Sequence, residues 1–351
     1  MKNKKVLLIN EGYSDNLGDQ AINDSLQYLL KSQGIKNIDF QDFTKNISSL
    51  IDILIDSKLK NKQSFFIGLL KKIIPSKIKW TIKNINRIIR TSKNNYDLVI
   101  IGGGQLILSN ATFSIAMVLW ISCLKYFGNK NIVLFAVGSG SKFNFIDKLL
   151  YKYALKKVFK IYVRDQNSKK ILKNTFNIDS NLVYDVAFVH DKIIQDTDSL
   201  KKYILLGVIS FDVYTKYNKE NISKKEFFET WIQLLKDKNI SIEDVKLFYT
   251  TQDDRAASLE FKNYISKEYQ IELKIIETNT KDKLINILNK SKLVISARMH
   301  ALILGLTYGC NIITYPISDK LIEFDYMFNE KFDLEEVQNN IEIRIKEILN
   351  G

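Results

Sequence analysis

The sequence predicts an α/β protein made of two doubly wound domains with parallel sheets, and three observations lead to this fold class. Short runs of Val, Ile and Leu alternate with amphipathic stretches of helical period along the chain. Most runs are continuously apolar, as expected for parallel strands that are covered on both faces. The length of 351 residues gives room for two domains, and a content of 46% hydrophobic and 26% charged residues is typical of globular proteins.

The apolar runs are the predicted strands, and the helices are expected between them. In the first half of the chain, strands are expected at Lys5–Asn10, Asp97–Ile101, Asn131–Val137 and Ile161–Arg164. In the second half, strands are expected at Tyr203–Ser210, Val245–Thr250, Leu293–Ser296 and Asn311–Tyr315. The helices include Asp19–Gln33, Phe143–Lys157, Ser223–Lys236 and Lys281–Lys290. Repeated βα units of this kind build Rossmann-like sheets with right-handed crossovers.

The polar stretch His190–Lys202 separates the two halves of the chain. We therefore predict an N-terminal α/β domain over residues 1–190, which includes a basic amphipathic insertion at about 57–96, and a C-terminal α/β domain over residues 200–330. Residues 333–351 are expected to form a C-terminal helix, because Leu334–Leu349 has an amphipathic pattern. Ligands of such folds bind at the carboxyl ends of the strands, which places the site in a cleft that the two domains face.

The composition excludes several classes of protein. Two prolines and 14 glycines exclude fibrous and proline-rich proteins. Cys123 and Cys310 both lie in apolar runs, which argues against a disulfide scaffold and for a reducing compartment. The two histidines, His190 and His300, are too few for a histidine-rich metal site, and His190 lies in the linker and is given no role. The first apolar run is too short for a signal peptide, and none is long enough to span a bilayer, so we expect a cytoplasmic protein.

The basic insertion carries most of the excess charge. The net charge is +13, and residues 57–96 hold eleven basic residues and no acidic ones, which leaves +2 for the rest of the chain. Charge confined to one segment argues against nucleic-acid binding, which needs a basic face built by the fold. A helical period places four isoleucines on one face: Ile78, Ile82, Ile85 and Ile89. Residues 63–93 then either contact an anionic membrane surface at its inner face, or form a helix that packs on the first domain with solvated lysines.

A polar loop follows the first predicted strand and opens the first predicted helix. Its notable positions are Asn16, Gly18 and Asp19. Asp19 stands where a helix N-cap is expected, and capping alone would explain its presence. The alternative is a loop at the cleft, where exposed amides and the backbone room at Gly18 meet a ligand.

Two glycine-rich turns follow consecutive predicted strands of the first domain. Gly102, Gly103 and Gly104 follow the second strand, and Gly138 and Gly140 follow the third. Such glycines let a ligand or another backbone approach closely, and both turns are expected at the same edge of the cleft. The turns do not match GxGxxG, and no acidic residue follows at the spacing of a dinucleotide site, so no dinucleotide cofactor is predicted.

Arginine and histidine side chains are expected where two further strands end. Arg164 ends one strand, where its fork suits a carboxylate or phosphate, and the alternative is an ion pair with Asp165 or with the other domain. The strand Leu293–Ser296 leads into Arg298 and His300, which share a face if the strand pattern continues. A cation and an imidazole at a helix N-terminus suit an anion and acid–base chemistry, although a single histidine is commonly structural.

Taken in chain order, these segments resemble the polysaccharide pyruvyl transferase family, over about residues 5–325. The motifs that carry the resemblance are Asn16-Leu-Gly-Asp-Gln-Ala-Ile22, Asp97-Leu-Val-Ile-Ile-Gly-Gly-Gly104, Val163-Arg-Asp-Gln-Asn-Ser168, Tyr184-Asp185, Ser296-Ala-Arg-Met-His300, and Gly309–Pro316 followed by Lys320. Two turns depart from the family pattern, because no proline follows Gly138-Ser-Gly-Ser141 or Asp185.

The resemblance implies a GT-B-like fold and transfer of the enolpyruvyl unit of phosphoenolpyruvate to a sugar of a cell-surface polysaccharide or its precursor, such as a lipid-linked oligosaccharide, to form a pyruvate ketal. The implied donor-binding residues are Arg164, Ser296, Arg298, Met299, His300 and Lys320. The implied catalytic residues are His300 as proton donor, Arg298 at the departing phosphate and Asp19 at the acceptor hydroxyl. Phosphoenolpyruvate is the co-substrate, and the scheme requires no metal and no cofactor.

Two alternative functions stay open at this point. A GT-B glycosyltransferase would use a nucleotide sugar and would need an acidic residue at the ribose, for which Glu323 is the nearby option. A catalytically silent glycan-binding subunit would need neither Arg298 nor His300. The donor that is consumed distinguishes these alternatives from a pyruvyl transfer.

Overall fold

The chain folds into two compact units in a computed structural model that describes residues 4–45, 75–110, 112–194, 200–218, 222–328 and 332–350. The first unit consists of Met1–Tyr13, Leu26–Asp185 and Asn340–Gly351, and the second unit consists of Ser14–Ser25 and Val186–Asn339. Residues 46–74, which include the first part of the predicted basic insertion, and residues 195–199 of the predicted boundary lie outside the described residues.

Strands and helices alternate along the described chain. The strands are β1 (Lys5–Asn10), β2 (Asn37–Asp42), β3 (Leu98–Gly102), β4 (Ile132–Val137), β5 (Lys160–Val163), β6 (Asn181–Leu182), β7 (Tyr203–Gly207), β8 (Val245–Leu247), β9 (Lys274–Ile275), β10 (Ser291–Ser296) and β11 (Asn311–Thr314). The helices are α1 (Leu17–Ser32), α2 (Ser76–Ser92), α3 (Phe113–Tyr126), α4 (Phe145–Leu155), α5 (Gln166–Ile171), α6 (Phe211–Tyr217), α7 (Lys224–Asp237), α8 (Gln252–Tyr269), α9 (Lys281–Asn289), α10 (Met299–Thr307), α11 (Asp319–Phe328) and α12 (Leu334–Asn350). Among these described helices, none is both long and apolar enough to cross a bilayer.

The first unit is built on a six-stranded parallel sheet in the order β2-β1-β3-β4-β5-β6. Every residue of β3 and β4 is buried, which explains why these strands are apolar throughout and do not alternate. Helix α3 packs between α2 and α4, and its Trp120 is fully buried in the core of the unit. Because the sheet is parallel, the loops that could meet a ligand lie at the carboxyl ends of its strands.

The second unit contains a five-stranded parallel sheet in the order β11-β10-β7-β8-β9. Strand β10 lies between β7 and β11, so the residues that follow Ser296 emerge from the interior of the sheet and not from its edge. The indole ring of Trp231 stacks on the ring of Tyr315 at a centroid distance of 4.0 Å, and this contact joins α7 to the end of β11. The observed sheets confirm the predicted α/β class.

The eight predicted strands are all present, whereas three further strands were not predicted. β2 has the sequence NIDFQD, in which only Ile38 and Phe40 are apolar, and it pairs only with β1, so it lacks the continuous apolar run by which the other strands were predicted. β6 and β9 have two residues each, which is too short for any periodic signal. Each of the missed strands thus lies at or beside an edge, where burial constrains the sequence least.

The basic helix α2 is present, but its buried face differs from the predicted one. The buried side chains include Trp80, Asn84, Arg87 and Ile88, which recur at helical spacing. The Arg87 guanidinium donates to the carbonyl of Asp42 at 2.7 Å, and burial lowers the pKa of Arg87 to about 10. The helix therefore packs on the first unit, as one of the two interpretations expected, but not through the face of the four isoleucines. Its inward face combines apolar side chains with hydrogen-bonded polar ones.

The first helix is divided between the two units, with its first residues in the second unit. The amide of Leu17 donates to the carbonyl of Thr250 at 3.1 Å, and the carboxylate of Asp24 forms an ion pair with Lys281. These contacts place residues 14–25 in the second unit, whereas the sequence analysis assigns residues 1–190 to one N-terminal domain. The sequence could not reveal that residues 14–25 belong to the second unit, because the whole of α1 has one continuous helical pattern.

The last helix α12 completes the first unit from Asn340 onward. Its side chains Ile341, Ile345 and Leu349 are fully buried, and the ammonium group of Lys4 donates to the carbonyl of Leu349 at 2.7 Å. The chain thus contributes its final residues to the sheet unit in which it also begins.

Candidate functional site

In the second unit, the turn after β10 carries Ser296, Arg298 and His300. The strand ends at Ser296, and Arg298 is the N-cap residue of α10, with φ −102° and ψ 112°. The Ser296 hydroxyl accepts a hydrogen bond from the Arg298 amide at 3.0 Å, which fixes the turn. The strand pattern, which would place Arg298 and His300 on one face, does not continue past Ser296, and His300 belongs to the following helix.

The Arg298 guanidinium is held by Asp254, a residue that the sequence analysis did not identify. Its Nε and Nη2 donate to the two carboxylate oxygens of Asp254 at 2.9 and 2.7 Å. Burial alone would lower the pKa of Arg298, but the hydrogen bonds to Asp254 and its negative charge outweigh burial and raise the pKa. The bidentate contact fixes the plane of the fork and leaves Nη1 outside the Asp254 contact.

A sequence signal for Asp254 does exist. The polar run Thr250-Thr-Gln-Asp-Asp254 follows a predicted strand, at the edge of the sheet where ligand-binding side chains collect. Asp254 lies in the first turn of α8, where its amide donates to the Thr251 hydroxyl at 3.2 Å. Its role beside Arg298 nevertheless depends on two chain segments that are 44 residues apart.

The imidazole of His300 lies against residues 16–19 at the start of α1, which belong to the same unit. Its Nδ1 is 3.9 Å from the Asp19 carboxylate. A methyl group on Gly18 would stand 2.4 Å from the His300 Cβ and 2.7 Å from Nδ1, so this glycine is required by the imidazole and not by its own backbone angles. The structure thus brings Gly18, Asp19 and His300 together.

Helix α1 begins two residues earlier than predicted, which changes the role of Asp19. Asn16 precedes the helix, and its side-chain oxygen accepts a hydrogen bond from the Gly18 amide at 3.0 Å. Asn16 therefore caps the helix. The capping interpretation of Asp19 is wrong, because Asp19 already lies inside the first turn and its carboxylate is close to His300.

Replacement of Gly18 by alanine is expected to displace the His300 ring, because no side chain fits at the observed separation. We expect kcat to fall at least tenfold, since misplacement of a catalytic group by about 1 Å can cost about 100-fold. The measurement is the steady-state turnover rate of the purified full chain. Gly128→Ala is the control, because its added methyl group has nothing within 4 Å and its positive φ of 91° strains only the turn in which it lies. Equal rates for both variants would contradict the assigned contact.

In the first unit, Arg164 follows β5, and its side chain is 1% exposed. Its Nη1 donates to the Asp185 carboxylate at 2.7 Å, and Asp165 lies 3.8 Å from Nε. Gly138 packs against the guanidinium, because a Cβ at this position would lie 2.8 Å from Nε. The predicted Arg164–Asp165 pair is thus present, but the closer partner is Asp185, which comes from the Tyr184-Asp185 motif.

The glycine-rich turns of the first unit pack on each other's backbone. A Cβ at Gly102 would lie 2.2 Å from the Phe135 carbonyl oxygen, and Gly103 and Gly104 have positive φ angles of 75°. The Gly138 amide donates to the Gly104 carbonyl at 2.8 Å. Of the two predicted reasons for these glycines, close approach of another backbone accounts for Gly102.

The remaining predicted residues lie in the two units as follows. Gly140 belongs to the turn after β4, and its amide donates to the Ile107 carbonyl at 2.8 Å. Met299 is the first residue of α10, and Lys320 and Glu323 lie on α11 of the second unit. Each unit therefore presents its own cluster. The first unit has Arg164 with the glycine turns, and the second has Arg298 and His300 with residues 16–19 at the start of α1.

His190 has no place in either cluster. Its side chain is 2% exposed, and its Nδ1 lies 2.8 Å from the Tyr308 hydroxyl. Burial lowers the pKa of His190 to about 4, which keeps the ring neutral at pH 7. This environment fits a structural side chain and agrees with the absence of a sequence-based role.

A family model described as polysaccharide pyruvyl transferase matches residues 16–319. No curated protein matches the chain. Similar solved structures include S. aureus MnaA with UDP (TM-score 0.53, 14% identity, 99% of this chain and 88% of that chain). Another is UDP-N-acetylglucosamine 2-epimerase from Rickettsia bellii (TM-score 0.51, 10% identity, 99% of this chain and 96% of that chain). A third is UDP-GlcNAc 2-epimerase from Methanocaldococcus jannaschii (TM-score 0.51, 12% identity, 99% of this chain and 100% of that chain). At such identities the likeness shows the fold alone, and it agrees with the predicted fold of two Rossmann-like α/β units.

Proposed function

Since this chain belongs to the polysaccharide pyruvyl transferase family, we propose that it transfers the enolpyruvyl group of phosphoenolpyruvate to a sugar hydroxyl and closes a pyruvate ketal. Family membership makes the protein a polysaccharide-modifying transferase, and the donor and the ketal are the proposed refinements. The acceptor is proposed to be a cell-surface polysaccharide or its precursor.

The arrangement at residues 298–300 carries this proposal. One turn presents a guanidinium that Asp254 orients, and two residues later an imidazole that lies 3.9 Å from the Asp19 carboxylate. A small doubly anionic donor needs a fixed cation, and its methylene carbon needs a proton donor. Arg298 and His300 supply these two groups from a single rigid helix start.

The proposed reaction begins with protonation of the donor. His300 gives a proton to the methylene carbon, which becomes a methyl group, and the positive charge develops at the carbon that bears the phosphate and the carboxylate. A sugar hydroxyl adds to that carbon and loses its proton. The C–O bond to phosphate breaks, a second hydroxyl of the same sugar adds in its place and loses its proton, and the products are the ketal and inorganic phosphate.

The surrounding residues have distinct proposed roles. Asp19 orients the His300 ring and accepts the proton from the acceptor hydroxyl, because its carboxylate is the acidic group at Nδ1. Arg298 stabilises phosphate as it leaves. Ser296 fixes the turn through the Arg298 amide, while Met299 and Lys320 are proposed to line the donor site.

Arg164 of the first unit is proposed to bind the donor as well. Its guanidinium is fixed by Asp185 and by contact with Gly138, so its donors point in a defined direction. Its proposed contact is with the carboxylate or the phosphate of the donor.

The test is consumption of donor by the purified full chain with a panel of hexoses and N-acetylhexosamines. Phosphate release from phosphoenolpyruvate that depends on an acceptor, together with a pyruvylated product in the mass spectrum, is the expected result. Consumption of a nucleotide sugar instead would contradict the proposal and favour a glycosyltransferase. Glycan binding without consumption of either donor would favour a catalytically silent subunit.

Arg298→Ala gives the matched variant for this assay. We expect kcat/KM for phosphoenolpyruvate to fall at least 100-fold, because the variant removes a charge from the proposed donor site. Arg255→Ala is the control, since Arg255 lies on α8 in an exposed ion pair with Glu277. The proposed role of Arg298 fails if both variants keep the kcat/KM of the unmodified protein.

A further inference from the structure

The outer surfaces of α2 and α4 expose a set of large apolar side chains. Six such residues are between 50% and 75% exposed, and we call their surface the apolar–basic face: Ile78, Ile82, Phe145, Ile146, Leu149 and Tyr153. On α2 these are Ile78 and Ile82, two of the four isoleucines on one face of the helix, and neither is buried in the core. Single exposed apolar residues are ordinary, but a cluster on neighbouring helices marks an interaction surface.

Hydrogen bonds at the start of the two helices join them and place Ile78 close to Ile146. The ammonium group of Lys77 lies 2.6 Å from the Asp147 carboxylate, which also accepts a hydrogen bond from Ser114 at the start of α3. Ile78 and Ile146 are the chain neighbours of this ion pair. Since α3 packs between α2 and α4, the three helices form one continuous outer layer of the first unit.

The middle helix adds to the apolar character of the face. α3 has the sequence FSIAMVLWISCLKY, with Lys125 as its sole charged residue. Ile115, Val118 and Leu119 are only partly buried against the core. The layer therefore has an uncharged centre between two helices that carry charge.

The charges around this centre are almost all positive. Residues 75–96 contain six basic residues and no acidic one, and residues 142–160 contain six basic residues and Asp147. The side chain of Asp147 is fully buried and is neutralised by Lys77. Lys148 and Lys152 are exposed beside the apolar residues of α4. The face thus combines exposed apolar groups with an uncompensated positive charge.

We propose that the apolar–basic face binds an anionic lipid bilayer. Exposed isoleucine, leucine and phenylalanine side chains enter the boundary between head groups and acyl chains, and the lysines meet the anionic head groups. Tyr153, with the Lys157 ammonium group over its ring, has the amphipathic form that suits this boundary. A nucleic acid would leave the aliphatic groups in water, and a second copy of this chain would bring like charges together.

The position of the face explains what membrane contact would achieve. The hydroxyl of Ser109 donates to Asp147 at 2.6 Å, and Ser109 belongs to the loop that follows the glycines after β3. The face therefore begins at the carboxyl edge of the first sheet, beside the cluster that contains Arg164. If the proposed function holds, a lipid-linked acceptor is presented at this edge, but binding to vesicles does not depend on that function.

The test is co-sedimentation of the full chain with vesicles in the absence of substrates. We expect the protein to sediment with vesicles of phosphatidylglycerol and phosphatidylcholine at 1:1, to remain in solution with phosphatidylcholine alone, and to be released by high salt. The variant Ile146→Glu/Leu149→Glu is expected to bind the anionic vesicles at least tenfold more weakly. The control Ile343→Glu/Leu259→Glu makes the same change of charge at exposed residues outside the face and is expected to bind like the unmodified chain.

Three results would overturn the proposal. The unmodified chain could fail to bind anionic vesicles, or the Ile146/Leu149 variant could bind as strongly as its control. The third result is that the unmodified chain and the control variant sediment as dimers without lipid, whereas the Ile146/Leu149 variant sediments as a monomer. The face would then be an interface between copies of the chain. Circular dichroism and thermal melting of both variants establish that each is folded.

Discussion

Replacement of His300 by glutamine is expected to lower kcat for acceptor-dependent phosphate release by about 10²- to 10⁴-fold, the usual contribution of a general acid. Glutamine keeps a hydrogen-bonding group near Asp19 but cannot deliver a proton to carbon. KM for phosphoenolpyruvate is expected to change much less than kcat, because the anionic groups are proposed to bind the arginines. The measurement is a steady-state phosphate assay over a range of donor concentrations.

His190→Gln is the control for this variant, since it replaces the other histidine of the chain. His190 lies in the same unit but is buried beside Tyr308, so its loss is expected to lower stability and to leave kcat of the folded fraction within a few-fold. A His300 variant with the kcat of the unmodified protein would exclude His300 as the proton donor. A similar loss of kcat in both variants would indicate a general defect in folding.

Replacement of Asp185 by asparagine is expected to lower the free energy of unfolding by about 3–5 kcal/mol, the usual cost of breaking a buried ion pair from one side. The Arg164 guanidinium is almost fully buried, and the variant removes the carboxylate that lies 2.7 Å from it. Asp165, at 3.8 Å, compensates only in part. The measurement is the midpoint and slope of urea denaturation, from which the free energy of unfolding is obtained.

Asp179→Asn is the matched control, because Asp179 pairs with Lys173 at 2.8 Å while both side chains remain largely exposed. We expect a change of about 0–1 kcal/mol for this exposed pair, since solvent screens its charges. Comparable losses of stability in the two variants would show that burial of the Arg164–Asp185 pair is not the deciding factor.

Much of the fold was predictable because parallel strands that are buried on both faces leave a strong sequence signal. β3 and β4 are apolar throughout and were located to within one or two residues. β2 was missed because an edge strand with one partner tolerates Asn, Asp and Gln. The inward face of α2 was misjudged for a related reason: Asn84 and Arg87 are buried through hydrogen bonds, which hydrophobic periodicity does not register.

The candidate site was predictable where one chain segment supplies it and not where distant segments meet. Arg298 and His300 follow a buried strand in a short motif, and their position at the start of α10 was evident from the sequence. Asp254 and the contact between Gly18 and His300 depend on tertiary packing over long separations along the chain. Motif order identified the family, but only packing shows which side chains touch.

The contribution of α12 to the first unit has a consequence for synthesis of the protein on the ribosome. Ile341, Ile345 and Leu349 of this helix fill the interior of a unit whose strands are all translated before residue 186. The nascent first unit therefore keeps an unfilled apolar interior until residues 341–349 have left the ribosomal exit tunnel. Translation of the second unit ends earlier, so the half of the protein that is begun first is the half that is completed last.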